Sequence, residues 1–159
     1  MQHLDKLARA IALSVLALSL LSSCWRNDGQ FSAALNNKVR AEQATEVDLS
    51  AISQMPWDEL FVFGPYSPRE RNCELMQLGW FACRITFPSS VSESEHILVF
   101  REKRRVVHSE RHARMNGDFS SRDSKLPFPV LRSAAKFTVV SVPNTTPRGG
   151  KWFRLDHKG

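Results

Sequence analysis

The three cysteines are the residues of this chain with the widest possible chemistry. A thiolate can take a lipid, bind a metal or form a disulfide. Cys24 directly follows an apolar segment, whereas Cys73 and Cys83 lie ten positions apart later in the chain. This spacing is wider than the Cys-x-x-Cys of redox and metal sites. In an exported chain the pair predicts a disulfide, with two buried free thiols as the alternative that spacing alone leaves open.

The N-terminal segment has the layout of a secretory signal. Lys6 and Arg9 precede an uninterrupted run of Ala, Ile, Leu, Val and Ser from Ala10 to Leu21. As a helix this run would be about 18 Å long, which is well short of a hydrocarbon core about 30 Å thick. We therefore predict a cleaved signal peptide over residues 1–23 and no membrane-spanning anchor.

The end of that segment, Leu21-Ser22-Ser23-Cys24, resembles the lipobox of bacterial lipoproteins. The resemblance implies that Cys24 is acylated and becomes the N-terminus, and two or three acyl chains give durable anchoring. Trp25 stands where an inner-membrane lipoprotein would have Asp, so the expected location is the outer membrane, facing the periplasm. An ordinary signal peptide followed by a coincidental cysteine is the alternative.

Two histidines, His108 and His112, have a spacing that can be compared with that of a metal site. His108 and His112 lie four apart, as in zinc proteases, but that pattern needs a helix and a glutamate directly after the first histidine. Ser109 occupies that position and Val106-Val107 favour a strand. We expect no metal and no cofactor. Without a Gly-x-Ser-x-Gly turn a non-enzymatic role is predicted, with a periplasmic hydrolase or an inhibitor of one as the alternative.

Basic residues are concentrated in one stretch of a chain whose net charge is +6. Such a stretch predicts a patch for an anionic envelope component, or alternatively a solvated hairpin edge that discourages aggregation. Glu102 and Glu110 interrupt the stretch. Export excludes nucleic acid as the expected partner, despite the positive charge. The candidate anion-binding residues are Arg101, Lys103, Arg104, Arg105 and Arg111, with Arg114 nearby.

Three further residues, Trp57, Asp58 and Tyr66, bracket a short apolar run and are candidates to line a groove. The alternative places the aromatic side chains in the core and makes Asp58 the cap of a turn. The segment that contains them, PWDELFVFGPYSPRE, resembles uncharacterised small bacterial lipoproteins over about residues 46–111. The resemblance implies an envelope location and a strand, a turn and a short helix. It implies no activity.

Hydrophobic periodicity predicts the remaining elements. Residues 31–44 have the spacing of an amphipathic helix, and Ser67, Pro68 and Glu70 form the signature of a helix start, with Gly79 as its stop. The predicted strands are at Val47 and Leu49, Leu60–Phe63, Trp80–Phe87, His96–Phe100, Arg105–Arg111, Lys136–Val142 and Lys151–Leu155.

Consecutive strands with helices beside them indicate an α+β fold. We expect a mostly antiparallel sheet of about five strands with one or two flanking helices, in a single domain over residues 31–159 that follows a lipidated tether at residues 24–30. The predicted function is that of a cell-envelope lipoprotein, a binding or structural module whose partner is an envelope protein or an anionic envelope component.

Overall fold

The computed structural model describes residues 29–119, 126–143 and 151–159, so the predicted signal peptide and Cys24 lie outside the described residues. The α+β class is confirmed, and the described strands form two antiparallel sheets. In chain order the α-helices and strands are α1 (Gln30–Asn36), β1 (Glu46–Asp48), α2 (Leu49–Ile52), β2 (Glu59–Phe63), α3 (Arg69–Met76), α4 (Trp80–Thr86), β3 (Glu95–Glu102), β4 (Arg105–Ala113), β5 (Val130–Leu131), β6 (Lys136–Pro143) and β7 (Lys151–His157). A π-helix (Asn37–Ala41) continues α1, and short 3-10 helices lie at Arg114–Asn116 and Arg132–Ala134.

The larger sheet has the strand order β4-β3-β2-β5, and the smaller sheet has the order β1-β6-β7. The strands are therefore divided between two sheets, where the sequence predicted one sheet of about five strands. The reason is that β6 pairs with β1 and β7, and it has no pairing with the strands of the larger sheet among the described residues.

Strand β2 carries apolar side chains on both faces of the larger sheet, and a hydrophobic core lies against each face. Leu60 points into a core shared with α1 and the smaller sheet, whereas Phe61 and Phe63 point into a second core under α3 and α4. Alternation of side chains along a strand produces this division. The prediction of a doubly buried strand at Leu60–Phe63 is thus confirmed.

The disulfide between Cys73 and Cys83 joins α3 to α4, with a Cα–Cα distance of 5.5 Å. The predicted pairing is confirmed, but the strand predicted at Trp80–Phe87 is wrong, because Trp80–Thr86 is helical. Cys83 and the fully buried Phe87 pack into the second core four residues apart, which is the spacing of one helix face.

The predicted start and stop of α3 are also wrong. The helix begins after Pro68, and the Ser67 hydroxyl donates to the Gly64 carbonyl at 2.8 Å instead of capping the helix. The helix ends at Met76, before the predicted stop at Gly79, because Gln77 takes the left-handed conformation (φ 54°). Among the helices in the described part of the chain, none combines the length and the hydropathy that crossing a membrane requires.

We predict that replacing Cys73 and Cys83 together by alanine lowers the free energy of unfolding by about 2.5–3 kcal/mol, because the crosslink closes a short loop and restricts the unfolded chain. Urea denaturation measures the change. A reductant should destabilise the wild type by a similar amount and leave the double variant unaffected. Equal urea midpoints for the wild type and the variant would contradict the prediction.

Candidate functional site

The structure separates the predicted basic patch into parts. The Arg101 guanidinium donates to Glu59 Oε2 from Nε and Nη2, at 2.9 and 2.6 Å, and lies 4.4 Å from the centroid of the Phe61 ring. Arg111 lies near the other end of β4 and donates to Glu95 Oε2 at 3.0 Å. At about 3.4 Å per residue, Arg111 is about 20 Å along the strand from Arg105. These residues do not form one continuous patch.

Three of the predicted cations, Lys103, Arg104 and Arg105, do lie together at the β3–β4 turn, and we call them the basic turn. Lys103 and Arg104 both have left-handed backbones, with φ values of 48° and 68°, which residues other than Gly and Asn seldom adopt. The Lys103 N–H donates to Asp58 Oδ2 at 2.8 Å, and the Asp58 N–H donates to the Arg101 carbonyl at 2.8 Å. Asp58 therefore stabilises the turn, as its alternative interpretation predicted.

The three residues of the predicted groove are not brought together. Trp57 is buried in the first core, in an edge-to-face contact with Phe100. Tyr66 lies beyond the opposite end of β2, with 74% of its surface exposed. Strand β2 separates the two aromatic side chains, so the structure contains no groove between them.

A buried polar cluster on β3 and β4 was not predicted. His108, Glu110 and His112 alternate along β4 and share one face, and the strand register puts His96 opposite His112. Their period of two is visible in the sequence. Their partners on α1, almost 80 positions away, are not, because no sequence signal links Ser32 to Glu110.

The Glu110 carboxylate fixes the start of α1. It is 1% exposed and accepts hydrogen bonds from the backbone N–H groups of Ser32 at 2.7 Å and Phe31 at 3.2 Å. His108 Nε2 lies 2.9 Å from the same carboxylate. A buried carboxylate is costly unless hydrogen bonds satisfy it, and the free N–H groups of a helix start supply them. Glu110 thus holds the N-terminal end of the described domain against the larger sheet.

Ser32 and His112 have the relative geometry of a nucleophile and its base. His112 Nε2 donates to the Gly117 carbonyl at 2.7 Å, so Nδ1 accepts from the Ser32 hydroxyl at 2.9 Å. However, Ser32 is only 4% exposed and also accepts from Asn116 Nδ2 at 3.0 Å. A hydroxyl enclosed in this way is inaccessible to a substrate, and the pair fastens α1 to β4.

Asp118 joins the two sheets. Its carboxylate accepts from His96 Nε2 at 3.1 Å, from Arg114 at 3.1 and 2.8 Å, and from Trp152 Nε1 of β7 at 3.1 Å. Its backbone also bonds to Phe153 and Leu155 of β7. Within the described ranges, no group of three or more His, Cys, Asp or Glu side chains is arranged to hold a metal ion.

Two neighbouring exposed aromatic residues lie at the start of α4. Trp80 and Phe81 are 72% and 70% exposed, and the Arg84 guanidinium lies 5.0 Å from the centroid of the Trp80 ring. We call Trp80, Phe81 and Arg84 the α4 surface. Arg84 also lines a cleft of about 100 Å³ together with Ser109 and Arg111 of β4. The α4 surface is therefore next to the edge of the larger sheet.

A second cleft, of about 360 Å³, lies beside the smaller sheet. Arg40 and Lys151 contribute cations, and Val39, Val139 and Phe153 contribute apolar surface. Arg40 Nη2 donates to the carbonyls of Met115 and Lys151, at 2.7 and 3.1 Å. Much of the hydrogen-bonding capacity of this guanidinium is thus used to connect the π-helix that follows α1 with Met115 and with β7.

Comparison with known proteins adds no assignment, because no family model, curated protein or solved structure matches this chain.

We predict that Glu110→Gln lowers the free energy of unfolding by about 2–4 kcal/mol, because the amide loses the charge that the buried N–H groups and His108 face. Denaturant unfolding measures the effect. The matched control is Glu42→Gln, since Glu42 forms an ion pair with Lys38 that is about half exposed and should change stability by less than about 1 kcal/mol. Equal losses in the two variants would show that the Glu110 contacts are unimportant.

Burial lowers the pKa of His112 below its ordinary value of 6.5, against the opposing effect of the Gly117 hydrogen bond. The unfolded chain then binds the proton more readily than the folded chain. The stability that depends on neutral His112 is complete above pH 6.5 and is lost as the pH falls through the folded-state pKa. Urea midpoints at about pH 7.5 and about pH 5 should therefore differ less in His112→Gln than in the wild type. Identical differences would exclude His112 as the source.

Proposed function

We propose that this chain is a lipid-anchored protein of the bacterial outer membrane, attached through acylated Cys24 and working in the periplasm as a binding module. Its partner is an anionic component of the envelope. The proposal combines the N-terminal segment, the disulfide and the distribution of polar groups over the folded domain.

The observation that carries the proposal is the disulfide between Cys73 and Cys83. Disulfides persist in oxidising compartments and are rare in the cytosol. A structural disulfide is therefore what an exported chain is expected to contain. It supports the interpretation of residues 1–23 as a signal that is removed.

The short distance between Cys24 and the domain supports anchoring at a membrane surface. Glu110 fixes the backbone at Phe31 and Ser32, and the described fold begins at Gly29. The five Cα-to-Cα steps from Cys24 to Gly29 can span at most about 18 Å. An acylated Cys24 would therefore hold this domain directly beside the bilayer.

The buried polar cluster supports binding in preference to catalysis. Its carboxylates, imidazoles and hydroxyl are hydrogen-bonded to one another and to the backbone, and Glu110, His112 and Ser32 are enclosed in the domain. The cations of the basic turn are exposed instead. Exposed cations near a membrane raise the local concentration of anions.

We predict that Cys24→Ser abolishes incorporation of labelled palmitate and stops the chain from reaching the outer membrane, because serine cannot form the thioether to the lipid. Expression of the full chain in a bacterium with two membranes, followed by density-gradient separation of the membranes, measures both effects.

The matched control replaces the other two cysteines, Cys73 and Cys83, by alanine in the full chain. This variant should still take up palmitate, because its lipidation site is intact. Labelled palmitate in the Cys24→Ser chain, or its recovery in the outer membrane, would refute the proposed anchoring.

A further inference from the structure

We infer that the α4 surface lies against the bilayer to which the chain is anchored, with Trp80 and Phe81 in the headgroup region and the neighbouring cations on anionic phospholipids. The inference rests on the proposed lipidation of Cys24 and specifies the anionic partner as the membrane itself.

The α4 surface has the composition of a membrane-interface contact. Trp80 and Phe81 follow each other at the start of α4, and both are more than two-thirds exposed. Two large aromatic side chains exposed together are unusual in water but suit the boundary between headgroups and acyl chains. Arg84 stacks on Trp80, so its guanidinium is placed at the level where phosphate groups lie.

Further cations flank the aromatic pair on two sides. On one side Arg104 Nη2 donates to Gln77 Oε1 at 2.7 Å, which brings the basic turn to the segment just before Trp80. On the other side Arg111 shares a cleft with Arg84. Basic residues around an apolar centre strengthen association with anionic lipid. Glu95 pairs with Arg111 and reduces its contribution.

The chain enters the described fold at the β4 edge of the larger sheet. A side chain added at Gly29 would come within 4.0 Å of the Arg111 carbonyl oxygen, so the chain enters the fold beside β4. Because the tether spans at most about 18 Å, this edge must stay close to the bilayer. α1 and α4 pack on opposite faces of the larger sheet, and the cleft at Arg111 lies on the α4 side of this edge.

The opposite edge of the larger sheet provides a matched comparison. Leu131 of β5 is 51% exposed and lies in the strand at the other edge of the larger sheet from β4. An exposed apolar side chain at this position should remain in water. Contact with lipid is therefore expected at residue 80 and not at residue 131.

Tryptophan fluorescence of the mature acylated chain in vesicles tests the inference. The parent is Trp25→Phe, which removes the tryptophan next to the lipid, and the vesicles contain phosphatidylglycerol and either brominated or ordinary acyl chains. The Trp80 signal is the difference between this parent and a chain that also carries Trp80→Phe. Brominated lipid should decrease this signal at least about twofold, since the bromine atoms on the acyl chains quench a tryptophan only when its ring lies close to them, as at the membrane interface.

The control adds Leu131→Trp to the chain with both Trp25→Phe and Trp80→Phe. We expect its added fluorescence to be equal in brominated and ordinary vesicles. Equal quenching at residues 80 and 131 would refute the orientation. Charge reversal by Arg84→Glu and Arg104→Glu should weaken quenching of Trp80, and unchanged quenching at low salt would refute the contact with anionic headgroups.

Failure of this inference can be distinguished from failure of the proposed function by measuring the acyl chains directly with mass spectrometry. An acylated, vesicle-bound chain whose Trp80 is not quenched overturns the inference and leaves the anchoring intact. A protein crosslinked to residue 80 under those conditions also overturns it, in favour of a protein partner. A mature chain without acyl groups overturns the proposed function and the inference together.

Discussion

The buried Glu110 carboxylate is the constraint on which the arrangement of this domain depends. A negative charge in the interior is unfavourable unless donors surround it, and the first turn of α1 provides two N–H groups that have no other helical partner. The two N–H groups donate to the carboxylate, so neither is left without a hydrogen bond, and α1 is held against β4 at one defined position. The N-terminal end of the domain is thereby fixed at one edge of the larger sheet.

The other buried polar residues extend the same principle across the fold. His112 uses both ring nitrogens to connect Ser32 with Gly117, and Asp118 connects the larger sheet with Trp152 of the smaller one. His112 and Asp118 therefore use their polar atoms to stabilise the packing of the described elements. Groups that could meet a partner are on the outside, on the α4 surface and the basic turn. We therefore assign stabilisation of the fold to the buried polar cluster and propose binding for the α4 surface and the basic turn.

Local patterns in the sequence predicted the elements whose structure depends on local forces. The doubly apolar run at Leu60–Phe63, the hairpin of β3 and β4, and the last two strands follow from periodicity. The helix at Trp80–Thr86 was missed because its aromatic and β-branched residues favour a strand. Packing of Cys83 and Phe87 against the sheet overrides that preference.

The candidate site was harder to predict, because it depends on contacts between distant residues. The basic residues were identified from the sequence, but their division was not, since it follows from the ion pairs of Arg101 with Glu59 and Arg111 with Glu95. Predicting the buried cluster requires the position of α1 relative to β4, which no local sequence pattern indicates. The acylation of Cys24 was predicted from a motif alone and stays a prediction, because Cys24 lies outside the described residues.

The proposed orientation of the domain at the membrane requires that the first turn of α1 is held rigidly by Glu110. Amide hydrogen exchange at Phe31 and Ser32, followed by NMR in the mature chain, tests it most directly. If Glu110 fixes these N–H groups, they should exchange as slowly as the central amides of β3, because both need the domain to open. Exchange at the rate of an unstructured peptide would show that the start of α1 is loose and would contradict the account.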